Sequence, residues 1–226
     1  MLPTGHVEFT WAALNAVQRK TGHLLEADYR LVALAALAPD LLDKPLALTL
    51  YRDTNAALFW GHNVWLHLGV WIAACALTRR RDEVDRRILP SGAGFERLLP
   101  YLLAFSCHLI GDRMWGFRES LCYPLGAGYW HPWVHVGEPA AMLAAYIDIV
   151  RTTPILVALE VAGLALLCWF VADRRLWRLP EFRVFARTGR TVSVQCPRAL
   201  TRAGASAPRL QGAPRVATVP VPDDEG

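Results

Sequence analysis

Charge is scarce in this chain, and lysine is nearly missing. Of its 226 residues 19% are charged and 54% are hydrophobic, a balance that excludes a disordered chain and is more apolar than soluble domains usually are. Only Lys20 and Lys44 among the 24 basic residues are not arginine, and the formal charge of +4 does not indicate nucleic acid as a partner. Together with a positive mean hydropathy, this composition indicates a membrane protein.

The sequence indicates neither cysteine pairing nor a cleavable secretory leader. The five cysteines are odd in number and contain no C-x-x-C pair, which argues against a disulfide framework or a zinc ribbon. The N-terminus has no basic start, and Glu8 interrupts its first apolar stretch. These features argue against a cleavable signal peptide and favour insertion through internal segments.

Four apolar segments are candidates for crossing a bilayer. Residues 56–78 contain no Asp, Glu, Lys or Arg, and residues 154–172 contain only Glu160, so both reach the roughly 20 residues that a spanning helix needs. Residues 31–50 and 98–111 are weaker candidates, because prolines and charges interrupt the first and the second is short. The sequence therefore predicts an all-α fold, a polytopic membrane helical bundle of about three to four membrane segments.

Arginine clusters predict how these segments are oriented. The charged loop at residues 79–87 and the arginines after residue 172 should both be cytoplasmic by the positive-inside rule. The connection at 113–153 then lies on the far side of the membrane. The N-terminus is cytoplasmic if residues 31–50 span the bilayer, and it is outside if they re-enter around Pro39; both alternatives stay open.

The C-terminal part of the chain has a different composition. No aromatic residue follows Phe185, and the remainder is rich in Ala, Arg, Pro, Gly, Ser and Thr. Such a segment cannot bury enough apolar surface to offset the entropy of ordering it. We therefore expect a membrane-embedded domain over residues 1–185 and a disordered tail over 186–226.

Histidines and carboxylates recur within or beside the apolar segments. A charged group at the bilayer centre costs about 2.5 to 3.5 kcal/mol on insertion scales, so such groups persist mainly when they are paired, hydrated or bound to metal. His108 and Asp112 are four residues apart, which on a helix places both on one face with Cβ atoms roughly 5 to 6 Å apart. That spacing is within reach of one metal ion.

Two further pairs have weaker spacing. His62 and His67 are five residues apart, about 140° around an ideal helix, so both reach one site only if His62 lies at the helix end. Asp40 and Asp43 follow Pro39 directly, and a break there leaves the carboxylates free to face a polar cavity. A ligand role is plausible for either aspartate.

A later segment offers a possible second part of the site. His131, His135 and Glu138 are spaced i, i+4 and i+7, so a short helical turn would align them. The flanking Trp130 and Trp133 fit an ordinary interfacial aromatic belt equally well. The sequence leaves both interpretations open.

The order of the motifs carries more information than any one of them. Gly-His stands at residues 5–6, Ala-Pro-Asp with a further Asp at 38–43, His-x4-His at 62–67 and His-x3-Asp at 108–112. This series resembles the bacterial membrane-bound metal-dependent hydrolase family, an inner-membrane group that includes a LexA-regulated member and is distantly similar to zinc-dependent phospholipase C. The resemblance covers approximately residues 5–124. It implies an all-helical fold, a metal centre of His and Asp from several helices, and a phosphoester-type hydrolase site.

These observations predict a divalent metal site, with zinc preferred and one or two ions. The expected ligands are histidines and aspartates from separate segments: His6, Asp40, His62, His67, His108, Asp112, His131 and His135. Asp43 or Glu138 is the expected general base, since a carboxylate that does not bind the metal can take the proton of a metal-activated water.

The predicted function is hydrolysis of a phosphoester or lipid-like ester by a multi-pass protein of the bacterial inner membrane. Its expected partners are the lipid bilayer and a small-molecule or lipid substrate, without nucleic acid. The alternative is a non-catalytic integral membrane protein, or a metal or proton transporter, that uses the same His/Asp cluster.

Overall fold

The structure, a computed structural model, describes residues 1–21, 27–85, 93–126, 128–133 and 138–191. Within these ranges the protein is all α-helical, as the sequence predicts. The described residues form no β-strand, although they contain an isolated antiparallel bridge. The helices therefore supply every element that positions the polar residues discussed below.

Eight α-helices and three 3-10 turns make up this part of the chain. The helices are α1 (Pro3–Thr21), α2 (Tyr29–Leu48), α3 (Val64–Asp85), α4 (Ala93–Gly111), α5 (Arg118–Leu121), α6 (Pro139–Thr152), α7 (Pro154–Asp173) and α8 (Leu179–Thr188), and the 3-10 turns are Arg52–Thr54, Trp60–His62 and Met114–Gly116. α1 packs between α7 and α2, α2 packs between α1 and α4, and α3 packs on the far side of α4. α1, α2 and α4 are thus the inner helices of the bundle.

An aromatic cluster forms the core where α1, α2, α7 and α8 meet. The ring centroids of Tyr29 and Phe170 are 4.9 Å apart, and those of Trp11 and Phe170 are 5.3 Å apart. Phe185 of α8 completes the cluster and is also buried. Trp11 Nε1 donates to the carbonyl of Tyr29, which satisfies the indole N–H inside the core.

Helix α8 extends past the predicted boundary between the domain and the tail. The expected tail begins at residue 186, but α8 continues to Thr188 because Phe185 anchors it in the core. Gly189 ends the helix with a φ of +66°, and its carbonyl accepts a hydrogen bond from Tyr29 N at 2.8 Å. The predicted tail from residue 192 onward lies outside the described residues.

Helix α2 is continuous although it contains two prolines. It runs from Tyr29 to Leu48 with Pro39 and Pro45 inside it, and Asp28 caps its start by accepting from Arg30 N at 2.9 Å. A proline has no N–H to donate to the preceding turn, so carbonyls near it are free for other partners. The helix carries Asp40 and Asp43 into the bundle.

Helix α3 begins later than the sequence predicts. The apolar run at residues 56–78 is not one helix, since its first eight residues form a turn and a 3-10 segment before α3 starts at Val64. Asp43 holds this segment, accepting from the backbone N–H of Phe59 at 2.6 Å and of Gly61 at 2.7 Å. The expected 23-residue span is therefore reduced to a shorter apolar helix, Val64–Arg79.

Among the described residues, one helix is long and apolar enough to cross a membrane. It is α7, Pro154–Asp173, which coincides with the second predicted span and satisfies the test by length and composition alone. Few of its residues are buried inside the bundle, so most of its apolar surface faces outward.

Candidate metal centre

Four side chains from separate parts of the chain converge at one end of the bundle. Asp40 lies on α2, His62 in a 3-10 turn, His108 on α4 and Asp112 just after α4. One ligand atom from each lies within 4.8 Å of the others. The two imidazoles are fully buried, whereas the side chains of Asp40 and Asp112 are 14% and 13% exposed. The carboxylates therefore form the accessible side of the cluster.

The atoms that approach each other are all potential metal ligands. The Nε2 atoms of His62 and His108 are 3.1 Å apart, and Asp112 Oδ2 is 3.2 Å from the first and 3.3 Å from the second. The Asp40 oxygens lie at 3.7 Å from His62 Nε2 and 3.9 Å from His108 Nε2. Ligands placed about 2.0 to 2.2 Å from a tetrahedral ion are about 3.3 to 3.6 Å apart, close to these distances.

A buried carboxylate determines which nitrogen of His62 carries its proton. Asp43 is fully buried, and its Oδ2 lies 2.7 Å from His62 Nδ1 while both of its oxygens accept backbone N–H groups. Because a carboxylate with these donors acts as an acceptor, Nδ1 of His62 carries a hydrogen, and in the neutral ring Nε2 has the lone pair. Burial alone would lower the pKa of His62, but its hydrogen bonds to Asp112 and Asp43 outweigh burial and raise that pKa. Asp43, expected as a general base, thus orients His62 in this structure.

A backbone carbonyl has the same effect on His108. Its Nδ1 lies 2.7 Å from the carbonyl oxygen of Ala36, one turn before Pro39 on α2. A carbonyl only accepts, so Nδ1 of His108 donates and its Nε2 also presents a lone pair to the cluster. The four-residue spacing of His108 and Asp112 predicted that their side chains lie on one face, and in the structure the two side chains are in contact within this cluster.

Lone pairs that face each other at about 3 Å require positive charge between them. Burial alone would raise the pKa of Asp112, but the imidazoles of His108, His6 and His62 outweigh it and hold that pKa well below its ordinary value. Asp112 is therefore a carboxylate, and Asp40 adds a second one. Either an extra proton or a cation can supply the charge, and two imidazole nitrogens with two carboxylates form a donor set that suits Zn²⁺.

His6 reaches the cluster through Asp112. Its ring stacks on that of His108 with centroids 3.8 Å apart, and its Nε2 lies 3.0 Å from Asp112 Oδ1, an oxygen that the amino group of Met1 also contacts at 2.6 Å. Burial lowers the pKa of His6, despite the hydrogen bond to Asp112, and favours the neutral ring. Gly111 permits this approach, since a Cβ there would lie 2.9 Å from His6 Nδ1.

His67 is not one of the four converging residues. As the sequence required, His62 lies before the helix that carries His67, yet His67 Nε2 donates to the carbonyl of Gly61 at 2.9 Å. Its ring stacks on Phe105 with centroids 4.0 Å apart. His67 therefore stabilises the 3-10 turn that carries His62 through this hydrogen bond.

The later histidine segment also stays apart from the four. His131 Nδ1 lies 3.4 Å from Glu119 Oε2. Glu138 is exposed at the start of α6, where its side chain caps no backbone N–H. His135 lies outside the described residues.

A cavity of about 460 Å³ opens onto the cluster. Asp40 and Asp112 line it together with Lys44, Arg113 and His131, and Lys44 Nζ lies 3.2 Å from Asp40 Oδ1. The rest of its wall is largely apolar and includes Leu58, Trp133, Ile149, Ile155, Leu156 and Leu159. The arrangement places two carboxylates and basic groups at one part of a mostly hydrophobic cavity.

Sequence reasoning missed several residues of this environment. Lys44 follows Asp40 by four residues on α2, so helical spacing was a signal that could have identified it. Ala36 and Glu119 act through contacts distant in sequence, for which the pattern offers no signal.

Comparisons of the chain with protein-family models, with curated proteins and with solved structures find no match.

Proposed function

We propose that this protein is a membrane-bound, metal-dependent hydrolase that acts on a phosphoester or lipid-like ester. The observation that carries the proposal is the convergence of the Nε2 atoms of His62 and His108 with the carboxylates of Asp40 and Asp112. Its position at the wall of a cavity, and the resemblance of the motif order to a hydrolase family, support the same function.

The residues of the proposed site have different roles in the reaction. His62, His108, Asp40 and Asp112 would hold a divalent cation, with zinc preferred, which would supply a Lewis acid able to lower the pKa of water from 15.7 to about 7. Asp43 and the Ala36 carbonyl hold the two imidazoles with Nε2 toward the cluster, so little reorganisation precedes binding. Lys44 places positive charge beside Asp40, where it would attract an anionic substrate.

The proposal includes a multi-pass arrangement in the bacterial inner membrane. Large apolar side chains are exposed on several helices besides α7, and a bilayer would cover them. Examples on α2, α3, α4 and α6 are Leu34, Leu41, Ile72, Leu77, Leu103, Ile110, Leu143 and Ile147. Fusions of a reporter after Arg81 and after Ala172 should both report the cytoplasm, and a periplasmic signal from either contradicts the orientation.

Hydrolysis by the full-length protein in lipid nanodiscs tests the catalytic part. We expect chelated protein to be inactive toward 4-nitrophenyl phosphodiester and carboxylester probes, and Zn²⁺ to restore hydrolysis of one of them. Asp40→Asn should lower the restored rate by roughly a hundredfold or more. The substitution removes a negatively charged ligand, so the cation would be bound more weakly and held less well in position. Asp53→Asn, at an exposed aspartate of the Arg52–Thr54 turn, is the matched control and should keep the rate.

Two results would contradict this function. If the purified protein binds no divalent metal, the hydrolytic mechanism fails. If it binds metal through His62 and His108 but hydrolyses neither class of probe, the same cluster serves a non-catalytic or transport function instead.

A further inference from the structure

His131 and Glu119 form a second polar pair at the same cavity. The Nδ1 atom of His131 lies 3.4 Å from Glu119 Oε2, and both side chains are about one third exposed, at 34% and 31%. His131 lines the cavity together with Asp40 and Asp112. A carboxylate at this distance from Nδ1 can form an ion pair with the protonated imidazole, whose Nε2 is then available to another partner.

The backbone around His131 is fixed relative to the metal centre. Its N–H donates to Ser120 Oγ at 2.9 Å, and Ser120 is completely buried. Asn63, the residue directly after His62, donates to the carbonyl of Ser120 at 3.2 Å and to that of Tyr123 at 2.7 Å. One side chain thus connects the turn that carries His62 to the segment that holds His131.

A second set of contacts fixes the segment from the other side. Pro132 forms an antiparallel bridge with Ala56, and Trp133 N donates to the carbonyl of Asn55 at 2.6 Å. The ring of Phe117 packs edge-on against His131 with centroids 4.8 Å apart. His131 is therefore a positioned side chain at the cavity, which is what a proton donor for catalysis requires.

We propose that His131 is the general acid of this site, and that Glu119 positions it. The inference rests on the proposed hydrolytic function. In a catalytic cycle the protonated imidazole keeps its Nδ1–H on Glu119 and gives its Nε2 proton to the leaving group. The carboxylate stabilises the imidazolium before this transfer and fixes the direction of the ring.

The proton transfer balances with phosphoester hydrolysis. The oxygen of water forms a new bond to phosphorus, the phosphorus–oxygen bond to the alcohol breaks, and the electron pair of that bond stays on the alcohol oxygen. That oxygen takes the proton from His131 Nε2. The proton that water loses passes to solvent, and His131 takes up another from solvent, so the net reaction converts ester and water into alcohol and acid.

This role defines the substrate class more closely. A phenolate such as 4-nitrophenolate leaves without a proton, whereas the alkoxide of an ordinary alcohol needs one in the transition state. An enzyme with a positioned general acid is therefore suited to esters of aliphatic alcohols. Glu119 acts only through His131 and is a positioning residue.

The test compares two phosphodiesters that share a phosphoryl group and differ in the leaving alcohol, one 4-nitrophenol and one aliphatic. With zinc-loaded protein in nanodiscs, His131→Gln should lower kcat/KM for the aliphatic ester by about 10²- to 10⁴-fold and change the 4-nitrophenyl ester little. Glu119→Gln should cause a smaller loss with the same selectivity, and Glu119→Asp should restore part of it. Tyr129→Phe, at an exposed residue of the same segment, is the control and should change neither rate.

Each outcome separates this inference from the proposed function. If the wild-type protein hydrolyses both esters but His131→Gln slows them equally or not at all, His131 is not the general acid although the hydrolase proposal stands. If the wild-type protein hydrolyses neither phosphodiester, this inference fails, whereas the hydrolase proposal fails only if the carboxylester probe is not hydrolysed either. If His131→Gln does not fold, Glu119→Gln provides the same comparison with the imidazole retained.

Two readouts do not depend on turnover. The zinc content of His131→Gln should equal that of the wild type, and a loss of zinc would make His131 a ligand and overturn the inference. Imidazole ¹⁵N NMR of the full chain should show a hydrogen-bonded Nδ1–H on His131 that changes in Glu119→Gln. An Nδ1 signal that is unaffected by this substitution would contradict the positioning role of Glu119.

Discussion

Helix α1 contributes to two buried polar clusters, and they differ in the balance of donors and acceptors. Near its start, His6 adjoins a centre in which the lone pairs of His62 and His108 face carboxylates. Nine residues further along α1, or roughly 13 Å, Asn15 belongs to a cluster around the buried guanidinium of Arg174.

The Arg174 cluster matches donors to acceptors. Arg174 Nε donates to Asn15 Oδ1, and its NH2 group donates to Gln18 Oε1 at 2.8 Å. The hydroxyl of Tyr29 donates to the same Gln18 oxygen, and Asn15 Nδ2 donates to Asp173 Oδ2, each at 2.9 Å. These hydrogen bonds join α1, α2 and the end of α7 around a cation that the chain itself supplies.

The comparison distinguishes a structural joint from a binding site. A buried network that contains its own cation is complete when the chain folds. A buried set of acceptors is complete only when a cation or an added proton joins it, and leaving it unpaired is costly. Helix α1 therefore takes part in a hydrogen-bonded joint near its end and adjoins the candidate ligand cluster near its start.

The largest expected effect is loss of metal from the acceptor cluster. His62→Ala or His108→Ala removes one of two imidazole ligands, so the affinity for Zn²⁺ should fall by about a thousandfold or more, equivalent to about 4 kcal/mol. Competition with a chelating dye, in protein that retains its helical circular dichroism, measures the change. His131→Gln is the control and should bind zinc as the wild type does; unchanged affinity in both alanine variants would remove the cluster as the binding site.

The next effect concerns the Arg174 cluster. Arg174→Met leaves Asn15, Gln18 and Asp173 without their buried cation and should lower the free energy of unfolding by about 3 to 5 kcal/mol, while the zinc affinity of the folded protein stays the same. Denaturant titration in micelles measures it. Arg19→Met is the comparison variant, since Arg19 also contacts Asp173 but is 48% exposed, and should cost about 1 kcal/mol or less. An equal loss of unfolding free energy in the two variants would mean that burial does not make the Arg174 contacts stronger than the Arg19 contact.

The smallest effect is expected at the carboxylate behind His62. Asp43→Asn keeps the size of the side chain but weakens its hold on His62 Nδ1, so zinc affinity should fall by about 10- to 100-fold. The same dye competition measures this change, with Asp53→Asn as the control. A loss as complete as that of His62→Ala would instead indicate that Asp43 binds the metal directly.

Patterns within one helix were sufficient to predict part of the site. The four-residue spacing of His108 and Asp112 places them on one face of α4 and its end, and the structure brings them within 3.3 Å. The position after Pro39 left either Asp40 or Asp43 open as a ligand, and Asp40, which was placed in the expected ligand set, is one of the four converging residues. The all-α class followed from long apolar segments without strand alternation.

Contacts between distant segments account for the differences. Residues 56–63 contain no Asp, Glu, Lys or Arg, yet they are not part of an α-helix, because Asp43 accepts two of their backbone N–H groups. The same contact turns His62 into the cluster, while His67 is directed to the carbonyl of Gly61. Periodicity contains no information on such tertiary hydrogen bonds, so the sequence could not separate His62 from His67 or identify Glu119 as the partner of His131.

X-ray absorption at the zinc edge of zinc-loaded, full-length protein tests the central claim most directly. The account predicts two imidazole nitrogens at about 2.0 to 2.1 Å, with the remaining ligands oxygen, and loss of one imidazole in His108→Ala. A zinc shell that contains sulfur, that contains no imidazole, or that is the same in His108→Ala would contradict a cation held between His62 and His108.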